Sequence, residues 1–279
     1  VDRKPTDAKE AITIMLLPDT IMLGATDAQA ARAFYQSVFS PTAVSQQDER
    51  VELDLHGVAR LAVCPVAELA AQAHAEPAAP NYRGYVLSYV VSQPDEVRSI
   101  LDAAARQGAS VLKPAKKAMF AGFSGAFQAP DGAVWKLTSA KAKATGPAEE
   151  TPVPDEVGVL LGVAATKSAK SFYASLGMVV DRDYGSKYID FQPTPTGCRL
   201  GLMDGKVLAK DVGTKEDRAD FRAAAFERMV PAPDEVDSLL SAVTAAGGRV
   251  VAPAAKSGSG VYAGFFTDPD GFLWKVTAG

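Results

Sequence analysis

Apolar side chains recur along this chain in two rhythms. After Asp27, a good N-cap, Ala31, Phe34, Tyr35 and Val38 fall on one stripe at helical spacing, which predicts a helix. A second helix is predicted to open with Pro94 in its first turn and close at Gly108, with Val97, Ile100, Leu101 and Ala104 at i, i+3, i+4 and i+7. Between the helices, Val51 to His56 and Lys187 to Gln192 alternate with period two and predict half-buried strands. The order is strand, helix, then several strands, and it occurs twice in each half of the chain.

The halves repeat one another. Phe34-Tyr35 recurs as Phe172-Tyr173, and Pro94-Asp95-Glu96-Val97 recurs 139 positions on as Pro233-Asp234-Glu235-Val236. The same shift carries Arg60-Leu61 onto Arg199-Leu200, Pro130-Asp131-Gly132 onto Pro269-Asp270-Gly271, and Trp135-Lys136 onto Trp274-Lys275. Residues 141–156 are charged, rich in proline and without apolar period, which marks a linker. The expected division is a tail or edge strand at 1–15, a first domain at 16–140, the linker at 141–156 and a second domain at 157–279.

Composition adds exclusions. The chain has 279 residues, 47% apolar and 22% charged, ordinary for a folded protein of about two domains. A net charge of -4 gives no footprint for a nucleic-acid backbone, so nucleic acid is not an expected partner. The apolar stretch from Ala11 to Ala25 is broken by Pro18, Asp19 and Thr20, short of the ~20 unbroken residues of a membrane span, and its acidic residues do not suit a signal peptide. Cys64 and Cys198 stand at non-equivalent places, so two buried thiols in a reducing cytoplasm are expected. No GxGxxG, P-loop, CxxC or nucleophile elbow is present.

Two strand-helix-strand-strand-strand modules per half, with LGATD..AARAFY near the start and APDGAVWKL or DPDGFLWKV at the end, resemble the vicinal oxygen chelate superfamily of glyoxalases, bleomycin-resistance proteins and extradiol dioxygenases. The resemblance covers nearly the whole chain. It implies an α+β fold of four βαβββ modules, in which each half folds its two modules, with eight strands and two helices, into one open cup whose mixed sheet has helices outside. A small organic ligand would sit in each cup.

Catalytic relatives in that superfamily hold a metal with His or Glu on the first strand, a carboxylate on the fourth, His or Gln on the fifth and Glu on the last. Carried onto this chain, those places fall near Thr20, Val86 and Lys136 in one half and Gly158, Ala225 and Lys275 in the other, with no carboxylate in either fourth strand. No ligand set for a metal is expected there, and no cofactor.

By strand alternation Lys136 and Lys275 face the cups, while Trp135 and Trp274 belong to the bulky face that packs under helices. Glu52, Asp54 and His56 share one face of a strand and are candidates for acid/base work, with His56 the best proton carrier. The corresponding strand of the second half presents Tyr188 and Asp190 instead, so the cups are expected to differ. Candidate ligand contacts are Lys136, Lys275, Tyr188, Asp190 and Glu227.

These features favour a metal-independent small-molecule binder, similar to the bleomycin-resistance branch, that sequesters a neutral or anionic aromatic ligand as a monomer or homodimer. The alternatives are a glyoxalase-like lyase or isomerase working through His56, Asp54 or the lysines, and a metal-dependent member with atypical ligands.

Overall fold

A computed structural model describes residues 15–77, 82–117, 122–193, 197–216, 221–258 and 260–279. All but the last residue of the expected tail at 1–15 therefore lie outside the described residues. Module 1 runs β1 (Thr20–Ala25), α1 (Ala28–Phe39), β2 (Ala43–Gln47), β3 (Arg50–Leu55) and β4 (Ala59–Pro65), and a short helix α2 (Val66–Gln72) follows it. Module 2 is β5 (Tyr85–Val91), α3 (Pro94–Arg106), β6 (Ser110–Lys117), β7 (Phe123–Gln128) and β8 (Val134–Ser139). Module 3 is β9 (Glu156–Val163), α4 (Thr166–Ser175), β10 (Val180–Asp183), β11 (Ile189–Phe191) and β12 (Arg199–Asp204), again followed by a short helix, α5 (Gly205–Val212). Module 4 is β13 (Ala224–Val230), α6 (Pro233–Ala245), β14 (Arg249–Lys256), β15 (Tyr262–Thr267) and β16 (Leu273–Ala278).

Local chemistry sets these boundaries. The Asp27 carboxylate accepts from the Ala30 amide at 2.9 Å and starts α1, as the sequence predicts. In α3, Pro94 occupies the first turn and Glu96 reaches back to accept from the Ser92 and Gln93 amides, a capping box. Asp204 caps α5 by accepting from the Lys206 and Val207 amides.

The modules pair otherwise than the sequence led us to expect. β1 lies antiparallel to β13 and β5 antiparallel to β9, so the first sheet joins modules 1 and 4 in the order β14-β15-β16-β13-β1-β4-β3-β2. The second joins modules 2 and 3 in the order β10-β11-β12-β9-β5-β8-β7-β6. Neither cup belongs to one half. The physical reason is that β1, β5, β9 and β13 are equivalent strands with equivalent edges, so pairing across the halves satisfies the same edges, and the run from β8 to β9 delivers β9 to the edge of β5. That run packs against module 2: Gln93 accepts from the Thr145 amide at 2.9 Å and donates to the Pro147 carbonyl at 2.9 Å, and Tyr89 donates to the Pro152 carbonyl at 3.2 Å.

One face of both sheets joins α1, α3, α4 and α6 in a single apolar cluster. Trp135 and Trp274 are fully buried in it, on the face that alternation predicts, and burying such side chains contributes on the order of 2–3 kcal/mol each. Each indole donates to a tyrosine on a helix of the preceding module, Trp135 to Tyr35 and Trp274 to Tyr173, both at 3.4 Å. Helices thus tie module 1 to 2 and module 3 to 4, while strands tie 1 to 4 and 2 to 3.

The opposite face of each sheet, where the cups were expected, carries its own smaller cluster and one of the two extra helices. Val66, Leu69 and Ala70 of α2 pack on Met22 and Ala62 of the first sheet, and Leu208, Ala209 and Val212 of α5 pack on Val86 and Ala126 of the second. Two helices per half were expected and three are found, because these two short helices carry too few turns to show a period. Gly24 and Gly162 make the approach fit: a Cβ at Gly162 would lie 2.8 Å from the Gly84 carbonyl oxygen and 3.0 Å from the Gly205 Cα, and one at Gly24 would lie 3.1 Å from the Val66 Cα.

Candidate ligand site on the cup faces

Strand register lines up one residue from each of the four central strands. In the first sheet Thr20 of β1 pairs with Arg60 of β4 and with Glu227 of β13, and Glu227 pairs with Lys275 of β16. The row reads Arg60, Thr20, Glu227, Lys275. In the second sheet the corresponding row is Arg199, Gly158, Ser88, Lys136. The fifth-strand places expected at Val86 and Ala225 are therefore corrected to Ser88 and Glu227. The sets also recombine, because Thr20 meets Glu227 and Lys275 from the other half of the chain.

Glu227 is the centre of the first row. Its buried carboxylate lies 2.8 Å from the Lys275 ammonium and 2.6 Å from the Arg50 guanidinium, which also pairs with Glu52. Burial alone would push the acid up, but Lys275 and Arg50 outweigh it and hold Glu227 below the usual carboxylate range. Lys275 and Arg50 keep 15% and 22% of their side chains exposed against 6% for Glu227, so solvent reaches the cations and hardly reaches the acid.

The second cup is built differently. Lys136 pairs with Asp211 of α5 at 2.5 Å, which fastens that helix over the row. Asp190 is fully buried, accepts from the Tyr188 hydroxyl at 2.9 Å, and pairs with Arg182 at 2.5 Å and Arg199 at 3.2 Å. Burial and the neighbouring Asp190 charge push the Tyr188 phenol up. Lys136 thus belongs to the α5 contact, and Tyr188 and Asp190 to an arginine network.

The suggested acid/base trio separates. Glu52 joins Arg50, whereas the Asp54 carboxylate accepts from the Gly57 amide at 2.7 Å and closes the β3–β4 turn. His56 is not in the strand, which ends at Leu55; it takes a left-handed conformation (φ 59°) in the turn, with Nε2 3.1 Å from the Phe39 carbonyl at the end of α1. Arg50, Arg60 and Asp211 were missed by sequence reasoning. The repetition of Arg60 as Arg199 was a signal for one of them; Arg50 and Asp211 reach their partners from other modules and gave none.

Both cysteines are free and buried, as expected. Burial pushes Cys64 up to about 11 and Cys198 up to about 12, so both thiols stay protonated at neutral pH. No described helix is long and apolar enough to cross a membrane.

Four βαβββ modules joined through their first strands into two mixed sheets, each with a polar row across its centre, define a class of paired-module proteins. The chain belongs to the Glyoxalase/Bleomycin resistance protein/Dioxygenase superfamily, whose family model matches residues 17–137 and 157–276. Among solved structures it is similar to glyoxalase I from Zea mays, with 15% identity, a TM-score of 0.62, and coverage of 94% of this chain and 92% of that one. It is also similar to a putative dioxygenase from Bacillus subtilis subsp. subtilis str. 168, with 12% identity, a TM-score of 0.60, and coverage of 95% and 85%. These likenesses concern the fold. No curated protein matches the sequence.

The rows do not fit the metal that catalytic members of the family hold. A divalent cation needs several oxygen or nitrogen ligands together. The first row offers one hydroxyl and one carboxylate, and that carboxylate is already clasped by two cations. The second offers a serine hydroxyl between Lys136 and Arg199, with no side chain at Gly158. Among the described residues no three His, Cys, Asp or Glu side chains converge as a metal site.

Proposed function

We propose that the chain is a small-molecule-binding protein that receives an organic ligand on the cup face of the first sheet, at Arg50, Glu227 and Lys275, with no divalent metal in the row. The observation that carries this reading is the Glu227 carboxylate held between Arg50 and Lys275. It puts fixed protein charges where relatives would put a cation, and leaves the two nitrogens partly open to a ligand. Phe265, the cross-strand neighbour of Lys275, is buried beside them in the apolar cluster under α2, so the cations border an aromatic and aliphatic patch, which suits a neutral or anionic aromatic molecule. The second cup, with α5 fastened by Lys136 and Asp211, is the lesser candidate.

A library of neutral and anionic aromatic compounds, followed by thermal shift and NMR titration, tests the reading. Binding is expected to survive dialysis against a chelator and to weaken in Lys275→Met, which removes one of the two cations the ligand meets. A stoichiometric Zn, Ni, Mn or Fe ion released only by chelator, with binding lost alongside it, would overturn the proposal.

A further inference from the structure

The repeat puts an arginine at the same station of both rows, and the two live in opposite surroundings. Arg199, beside Gly158, is enclosed by three carboxylates, with Glu156 at 2.6 Å, Asp181 at 2.7 Å and Asp190 at 3.2 Å. Arg60, beside Thr20, is exposed and has no side-chain ion-pair or hydrogen-bond partner among the described residues. Carboxylates do stand near it, and each is committed elsewhere. Asp54, its cross-strand neighbour, is turned to the Gly57 amide at 2.7 Å; Glu52 pairs with Arg50; Asp19 holds Arg228 through both oxygens, at 3.0 and 3.1 Å.

A cleft of about 480 Å³ is lined by Arg60 together with Asp19, Arg228, Met229, Val230 and Pro231. Asp19 pairs with Arg228, so of the two lining arginines Arg60 is the one that no described side chain pairs. Met229, with 46% of its surface exposed, and Pro231 give it an apolar wall. A planar guanidinium with free donors takes a carboxylate in two parallel hydrogen bonds. The Asp54 carboxylate on the neighbouring strand repels a second negative charge, which favours a monoanion over a phosphate dianion.

We propose that Arg60 reads the carboxylate of an organic monoanion whose apolar part lies against Met229 and Pro231. The inference rests on the proposed function and narrows it, since strand register puts Arg60 in the same row as Glu227 and Lys275.

Isothermal titration of the full chain with benzoate, phenylacetate and hexanoate, each against its own carboxamide, tests this. At least one carboxylate is expected to bind about tenfold more tightly than its amide, and Arg60→Gln should bring that ratio close to one. Among the described residues Arg60 has no side-chain partner to lose, and it is exposed, so the variant should fold. Equal affinity of acid and amide, a preference untouched by Arg60→Gln, or no carboxylate binding at millimolar concentration overturns the inference. Lys275→Met separates the two readings. A carboxylate preference lost in Arg60→Gln while every affinity ignores Lys275→Met upholds Arg60 and sinks the cup-face reading; binding that needs Lys275 but shows no preference for the acid does the reverse.

Discussion

Asp268 accepts a 2.6 Å hydrogen bond from the Tyr173 hydroxyl, and the first half of the chain makes the same bond, from Tyr35 at 2.8 Å, with an acid two places further along its turn, Asp131. The repeat aligns Asp268 with Ala129, so the two halves reached one buried tyrosine–carboxylate contact from different positions. Asp268 also accepts from the Asp270 amide at 3.0 Å and the Phe272 amide at 2.8 Å, and so holds the DPDG turn in shape.

Burial pushes Asp268 up to about 7, with Asp270 adding to the rise against the pull of its donors. The folded protein therefore holds this proton more tightly than the unfolded chain does. The stability that follows is fully present below the ordinary aspartate range and is lost as pH rises through 7. Between pH 5 and 8, urea denaturation should show the wild type losing stability relative to Asp268→Asn, whose amide has no charge to desolvate. Parallel pH profiles for the two proteins would refute this assignment.

Glu227 has the opposite sign. Its folded value lies below the unfolded one, so its contribution is present above the ordinary glutamate range and fades as the solution is acidified through the folded value. Glu227→Gln leaves Arg50 and Lys275 facing each other and should cost about 3 kcal/mol at neutral pH. Lys275→Met, which leaves Arg50 on the acid, should cost less, about 1–2 kcal/mol. Because both variants break one contact, the double variant should cost less than the sum of the two in a denaturation cycle.

The seats of α2 and α5 are testable through two glycines. At Gly162 a methyl group would press on backbone from two directions, so Gly162→Ala should destabilise by about 2–3 kcal/mol. At Gly24 all three nearest atoms belong to Val66, at 3.1–3.3 Å, and a small shift of α2 accommodates the change, so Gly24→Ala should cost about 1 kcal/mol. Thermal denaturation should rank the two variants in that order.

The four long helices and the tryptophan faces were legible because each rests on a pattern within one module, and the duplication because it is a repeat of the sequence itself. What escaped needed knowledge of which module meets which. Glu227 stood among the candidate ligand contacts, yet its partner Arg50 comes from β3 of the first module and meets it only because β1 pairs with β13. Lys136 looked like a free cation in a cup until Asp211, borrowed from module 3, neutralised it. His56 was read one residue too far along its strand: alternation holds through Leu55, and a turn that requires a positive φ begins at the next position.

The exchange of strands between halves bears on how such a chain is put together. Modules 1 and 2 share helix packing but no sheet, and the same is true of modules 3 and 4, so a half-length chain would leave the edges of β1 and β5 bare. Two copies of such a half, related by a twofold axis, would satisfy all four edges in an isologous contact. The full chain is in that sense a symmetric dimer written as one polypeptide, with the segment from β8 to β9 turning an encounter between two molecules into an internal one. Residues 1–145 and 146–279, produced separately, should each sediment as a dimer or be insoluble, and should form a 1:1 complex when refolded together.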